Sequence, residues 1–385
     1  MRRLLLLASA MIFFDVAFFA AIAPLLPTYV DDLGLSKAQA GILSASYAAG
    51  TLLASLPAGF VASRFGPRRT VIVGLLLLGV ASLAFGLVNQ IYLLDSARFI
   101  QGCAGALIWS GALTWLITTA PEENRGSVIG TALGTAVAGA LLGPALGALA
   151  ATVGTGLIFG SVLVITALLA YGASRIPESH VAEQQSLREI KDTMLSRPVR
   201  DAAIYVAVPS VMFGAIEVLV PLRIDALGGG HGVIAAGFIA GAGLEAMLAP
   251  IAGRYSDRVG RRNPYVIGLS ICACAMIAIA AAATLGGVLA ALIATSLGAG
   301  LCFAPALTLL SDVAESSSLH QGFAAGLSNM AWASGQVAGG IGGGVVASLT
   351  GNAVPSVAIA ALLVLTVAYA LRTMEPGVEP KPVEG

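Results

Sequence analysis

Apolar runs of roughly twenty residues recur along almost the whole chain, separated by short polar stretches, and strand-like alternation of apolar and polar positions is absent. A helix needs about 20 apolar residues to cross about 30 Å of hydrocarbon, whereas a barrel strand is shorter and alternates. The runs therefore predict an all-α membrane protein of twelve transmembrane helices. Six fall over 4–27, 38–62, 70–88, 92–118, 127–150 and 155–174. Six more fall over 201–224, 232–253, 264–285, 287–312, 321–348 and 355–372. The start, Met1-Arg2-Arg3 followed by leucines, imitates a signal peptide. The apolar stretch, however, continues past Asp15 to Pro24 and Pro27, too far for a signal segment, so a retained first helix is expected.

The one long polar interruption divides the chain. The expected units are a six-helix bundle over 1–174, a cytoplasmic linker over 175–200, a second six-helix bundle over 201–372 and a cytoplasmic tail over 373–385. In the linker, Leu187, Ile190 and Met194 share one helical face, with Arg188, Glu189, Lys191 and Asp192 around them. An amphipathic helix on the membrane surface and a flexible connector both fit that pattern.

The halves also repeat each other. At an offset of 194, Pro27, Asp31 and Gly34 match Pro221, Asp225 and Gly228, while Gly59, Arg64, Gly66 and Arg68 match Gly253, Arg258, Gly260 and Arg262. At an offset of 196, Gly102 matches Gly298, and Gly139, Gly143 and Gly147 match Gly335, Gly339 and Gly343. Six helices per half is an even number, so the repeats run parallel. Their symmetry places a cavity between the halves near the membrane midplane.

Composition supports lipid as the main solvent. Only 10% of residues are charged and 57% are hydrophobic, against about 25% charged in soluble domains. Net charge is zero, which gives no sign of a nucleic-acid partner. With both termini in the cytoplasm, all of the 20 Lys and Arg except Lys37, Arg98 and Arg223 fall on the cytoplasmic side. Cys103, Cys272, Cys274 and Cys302 lie inside apolar runs and read as packing residues rather than metal ligands. With no phosphate-binding loop, H-E-x-x-H or metal-ligand cluster, no enzyme, cofactor or metal is expected.

The loop after the eighth span reads Gly253-x-x-x-Asp257-Arg258-x-Gly260-Arg261-Arg262. It resembles the G-x-x-x-D-R-x-G-R-R loop of the major facilitator superfamily. The loop after the second span, Gly59-x-x-x-Ser63-Arg64-x-Gly66-Pro67-Arg68-Arg69, is a degenerate copy with Ser63 in place of the acid. Arg98-x-x-Gln101-Gly102 and Pro121-Glu122-x-x-Arg125-Gly126 extend the likeness. Gly139-x-x-x-Gly143-Pro144-x-x-Gly147 in the fifth span is similar to the element associated with proton-coupled exporters. The resemblance implies that the loops latch the cytoplasmic side. Independently, Gly59 and Gly253 would let helix backbones approach closely, and Asp257 could pair with Arg258. The fifth-span glycines also fit a plain packing role, and Pro144 a kink.

An ionised acid near the bilayer centre costs about 2.5–3.5 kcal/mol on insertion scales, so such residues need a reason. Asp15, Glu217 and Glu245 lie inside spans, and none has an acidic counterpart in the other half. His180, His231 and His320 lie in or near loops, so a transported proton would have to ride on a carboxylate. Asp15 has Phe18 and Phe19 on its face, and Glu217 has Phe213 one turn earlier. An acid beside aromatic rings suits a lipophilic cation. Glu245 could equally brace the latch. Asp15 could sit high enough to be solvated, and Arg98, near Asp95, could form a structural ion pair with a cavity acid or couple to protons. Gln101, Asn329 and Trp332 complete the expected cavity lining.

An acid in the first span and another in the seventh resembles the twelve-helix drug:proton antiporter branch, including its vesicular-amine-transporter-like members. That resemblance implies export of small hydrophobic or cationic compounds in exchange for protons, by a monomer spanning the cell (inner) membrane many times. A carrier of a polar metabolite such as a sugar is the main alternative. It would need more converging polar groups than the spans offer. A non-transporting sensor would need an output domain.

Overall fold

The computed structural model describes residues 1–121, 125–178, 187–316 and 321–374. Among these, all regular structure is helical. The first half contains α1 (Arg2–Ala20), α2 (Ile22–Leu33), α3 (Lys37–Phe65), α4 (Pro67–Leu87), α5 (Ile91–Thr119), α6 (Arg125–Val153) and α7 (Thr155–Ser174). Then come α8 (Leu187–Leu195), α9 (Arg197–Ala226), α10 (His231–Val259), α11 (Arg262–Ala281), α12 (Leu285–Ser316), α13 (Gln321–Thr350) and α14 (Ala353–Thr373).

Among the described residues, eleven helical stretches are long and apolar enough to cross a membrane, counting α1 and α2 as one. The twelfth span is α13, 30 residues long and rich in glycine. It is wedged between α3 and α9, so its small residues face protein rather than lipid.

The first span is not continuous as expected. It breaks at Ala21, just ahead of Pro24, which falls in the first turn of α2. A proline is tolerated there because that N–H has no intrahelical partner anyway, so the break sits before it rather than at it. In the linker, the described residues include the short helix α8. Its Ile190 is buried while Leu195 is 58% exposed.

Two hydrophobic cores form. One gathers α1–α7 together with Val218, and the other gathers residues from Ile190 to Met374. The repeat seen in the sequence has a physical meaning here. Gly139, Gly143 and Gly147 on α6 lie against the backbone of α1 and its break, and Gly335, Gly339 and Gly343 on α13 lie against α9. Helices α3 and α13 meet across the halves, as do α10 and α6, which are their repeat counterparts. At the start of α3, Lys37 Nζ donates to Asn352 Oδ1 (2.6 Å), and His231 Nδ1 donates to the Pro24 carbonyl (2.8 Å). Both bonds link the two halves at one end of the molecule.

The α1–α6 seam is tight enough to test. A Cβ at Gly143 would stand 2.6 Å from the Ala17 carbonyl oxygen and 2.6 Å from Ala20 Cβ, whereas one at Gly130 would meet nothing within 4 Å. Gly143→Ala should therefore destabilise the protein by about 1–3 kcal/mol through overpacking. Gly130→Ala, in the same helix, should stabilise it slightly by about 0.5–1 kcal/mol. Thermal melts in detergent would show opposite signs. Equal effects would remove the seam from the account.

Candidate functional site

The break in the first span creates the site's most buried feature. The last carbonyls of α1 have no helical donors ahead of them and carry the negative end of the helix dipole. Arg98, projecting from α5 and 1% exposed, fills that position. Its guanidinium donates to the carbonyls of Phe18 (3.4 Å) and Phe19 (3.3 Å) and to Gln101 Oε1 (3.2 Å). Gln101 in turn donates to Ser82 Oγ (3.0 Å). The rings of Tyr47, Phe19 and Phe85 lie 5.2, 5.9 and 5.9 Å from the guanidinium carbon. Among the described residues Arg98 forms no direct ion pair with a cavity acid; it acts on Glu217 through its charge alone. The guanidinium serves α1 and Gln101 through its two terminal nitrogens, while Arg98 Nε and Asp95 Oδ1 are shielded without a hydrogen-bond partner among the described residues.

Asp15 lies one turn before Phe18 and is 1% exposed, so it is not solvated at a membrane surface. Its carboxylate accepts from Tyr47 Oη (2.9 and 3.0 Å) and from Trp109 Nε1 (3.0 Å). Gly105 makes the space, since a Cβ there would contact the Tyr47 hydroxyl and come within 3.0 Å of Asp15 Oδ1. Asp15 thus belongs to the interior of the first half. Trp109 of α5 is its second donor beside Tyr47.

A cavity of about 240 Å³ lies between the halves. Phe19, Phe213, Phe238, Phe303 and Trp332 supply its aromatic surface. Phe19 packs edge-on against Trp332 (5.4 Å between centroids), and Phe213 against Phe303 (5.6 Å). Ala140 and Pro144 of α6 line it too; because Pro144 has no N–H, the Ala140 carbonyl lacks its helical donor there. Two ionisable side chains reach the cavity, Glu217 from α9 and Glu245 from α10. Glu217 interacts with Gln336 of α13, with Ser44 of α3 and, through its charge, with Arg98. Glu245 shows no such partner among the described residues. It lies on the cavity wall rather than at the loop after α10.

Three residues expected at the cavity are elsewhere. Phe18 turns into the first bundle and packs on Phe159 (5.7 Å). Gln101 is spent on Arg98 and Ser82, and Asn329 does not line the cavity. Phe238 and Phe303 were missed. Phe238 stands two turns before Glu245, a spacing that puts both on one helix face. Phe303 carries no such signal.

The loops differ from expectation in their partners. Gly66 (φ +91°) and Gly260 (φ +81°) make the equivalent turns in a backbone region that favours glycine. Gly59 is buried, whereas a Cβ at Gly253 would meet nothing within 4 Å, so the close backbone approach expected there is not made. The side chain of Asp257 lies outside the described residues, as do residues 122–124, His180 and His320. Arg261 pairs with Asp312 of α12. In the degenerate copy, Ser63 bonds back to Phe60 of its own helix (2.9 Å). The acid it lacks is supplied by Glu178, which follows α7. Glu178 accepts from the Arg68 backbone N–H (2.9 Å) and pairs with Arg68 Nε (3.3 Å). Arg64 stacks near Phe60 and Phe65 (5.9 and 5.8 Å), while Arg69 and Arg258 are exposed and Arg262 is half-buried.

Comparison with known proteins gives a consistent likeness. The chain matches the family described as Major Facilitator Superfamily over residues 5–340 and 244–385. An uncharacterised MFS-type transporter of Schizosaccharomyces pombe is 35% identical over 127 residues, 31% of this chain and 28% of that protein. Quinolone resistance protein NorA of Staphylococcus aureus is 26% identical over 109 residues, 28% of each. The chain therefore spans less than a third of the length of these relatives. The crystal structure of a D-xylose-proton symporter superposes with a TM-score of 0.73 at 18% identity, covering 98% of this chain and 97% of that one. A bacterial homologue of the human lysosomal transporter Spinster, inward-facing and unoccupied, gives 0.77 at 12% identity, covering 96% of both. At these identities the structural likeness shows the fold alone.

Proposed function

The chain belongs to the major facilitator superfamily, a family of multi-pass membrane transporters rather than enzymes, and from that premise we propose that it exports small hydrophobic or cationic compounds in exchange for protons. The observation that carries this reading is the cavity between the halves, walled by five aromatic rings and holding two carboxylates. Rings attract an organic cation through their faces, and an unshared acid in an apolar wall can hold either a cation or a proton. Binding one displaces the other, and that competition couples the two flows. A polar metabolite such as a sugar would need several converging hydrogen-bonding groups. Beside the two acids this wall offers Thr295, Ser296 and Gln336.

In this reading the units 1–174 and 201–372 rock as two bodies about the α3–α13 and α6–α10 contacts, joined by the 175–200 linker. The chain works as a monomer in the cell (inner) membrane, with both termini and the 373–385 tail in the cytoplasm. The arginine asymmetry of the loops supports that orientation. The cavity lies on the path through which the substrate is exchanged. The loops after α3 and α10 latch the cytoplasmic side through Arg68–Glu178 and Arg261–Asp312. Asp15 and Arg98 anchor the broken first span behind Phe19. The relative named for quinolone resistance agrees with a drug-like substrate.

Inverted membrane vesicles containing the protein provide the test. A fluorescent lipophilic cation should be taken up when the vesicle interior is acidified and released when the pH gradient is collapsed. Uptake that ignores the gradient, or transport confined to neutral sugars, would overturn the proposal.

A further inference from the structure

A second cavity, of about 820 Å³, opens where the ends of α9, α11, α12 and α14 meet. Its wall carries four guanidinium groups, from Arg197, Arg261, Arg262 and Arg372, and a single described carboxylate, Asp201. Asp201 is already engaged by Arg197 Nε (3.7 Å) and by the Tyr369 hydroxyl (2.9 Å). Arg261 is taken by Asp312. No ion pair to Arg262 or Arg372 is formed among the described residues, and Arg262 Nε is shielded from solvent without a hydrogen-bond partner there. The floor is apolar, made by Ala202, Leu309, Val313 and Met374. The crevice therefore has a surplus of positive charge above a greasy base.

Its depth follows from the spans that form it. Four membrane-crossing helices end there. The amphipathic α8 leads straight into α9 beside it, with Ile190 buried and Leu195 exposed. That is the level of the lipid headgroups. Guanidinium groups pair with phosphate oxygens through charge-assisted hydrogen bonds, and their planar fork suits a phosphate better than a lysine would.

We propose that this crevice binds a phosphate-bearing anion, with the headgroup of an anionic phospholipid as its favoured source. The phosphate sits among Arg262, Arg372 and Arg197, and the glycerol and first methylenes cover the apolar floor. Bound there, the lipid ties four helix ends of the second half together and helps that half move as one piece. A free phosphate would use the same arginines but leave the apolar floor uncovered, which is why the lipid is favoured.

Native mass spectrometry of the full-length protein, equilibrated with equal amounts of phosphatidylglycerol and phosphatidylcholine, tests this. Phosphatidylglycerol should be retained preferentially. Each guanidinium removed should weaken retention about fivefold, so Arg262→Gln combined with Arg372→Gln should weaken it roughly twenty-five-fold. Arg175→Gln, at the end of α7 and stacked on Tyr171 (4.8 Å), should leave retention unchanged. Inorganic phosphate that raises the melting temperature of wild type but not of the double variant, with no lipid retained, would assign the crevice to a soluble phosphate ligand. Retention falling equally in Arg175→Gln would mark diffuse attraction and overturn the proposal. Absence of both lipid preference and phosphate response in the folded wild type would overturn it as well.

Discussion

Glu217→Gln is expected to abolish uphill efflux while leaving downhill substrate exchange intact. Glutamine keeps the shape and the hydrogen-bonding reach of the acid but cannot gain or lose a proton. Glu217 is the cavity acid that touches both halves. It meets Ser44 on α3 and Gln336 on α13, the two helices that form the main contact between halves, and it feels the charge of Arg98 on α5. A change in its charge therefore acts on the contact about which the halves would rock. Glu245 has no such links and serves in this account as a counter-charge for the substrate. Glu245→Gln should keep the dependence on the pH gradient but lower affinity for a lipophilic cation. Removing one partner of a desolvated charge pair costs about 2 kcal/mol or more, roughly thirtyfold in affinity. Transport under an imposed gradient, measured beside equilibrium binding for both variants, separates the roles. Full gradient-driven efflux in Glu217→Gln would sink the division.

Arg98→Ala should be among the most destabilising single substitutions in the protein. It would strip the Phe18 and Phe19 carbonyls and Gln101 Oε1 of a donor in a site that excludes water. Each buried acceptor left unsatisfied costs about 1–3 kcal/mol, and loss of a buried charge from its partners is of the order of 3–5 kcal/mol in all. Arg98→Lys should recover only part of this, because the ammonium presents its donors from one nitrogen on a shorter stem and lacks the planar two-nitrogen fork that spans these acceptors. Gln101→Ala should cost less, about 2–3 kcal/mol, since it removes one acceptor of the guanidinium and the neutral bond to Ser82 but leaves the carbonyls of α1 their donor. Thermal melts of the three variants in detergent would rank them. An Arg98→Lys variant as stable as wild type would show that the site needs only a positive charge and not the fork.

Much of the architecture could be read from the residue pattern because lipid imposes a simple rule of length and apolarity. The even spacing of glycines at offset 196 went further, since it marks two seams, α6 on α1 and α13 on α9, that do the same packing in each half. Long-range pairings were harder to see. From its place inside an apolar span, Arg98 reads as the partner of a cavity acid or as a group coupled to protons. The break at Ala21 offered stronger acceptors eighty residues away, and a break is not written in the hydrophobic pattern. Ser63 marked a missing acid but could not show that Glu178, beyond four helices, replaces it on Arg68. Phe18 and Phe19 are neighbours of equal hydrophobicity. That one packs on Phe159 and the other on Trp332 depends on how α1 is rotated against α5 and α13, which no local signal records.

The account rests on the two cavity carboxylates holding either a proton or a substrate cation, never both at full strength. Purified protein in weakly buffered detergent solution, mixed with a lipophilic cation while a pH indicator is followed, measures this without any membrane gradient. The account predicts that binding releases protons in proportion to the cation bound, and that the release disappears in Glu217→Gln combined with Glu245→Gln. Tight binding of the cation by wild type with no proton released would contradict it.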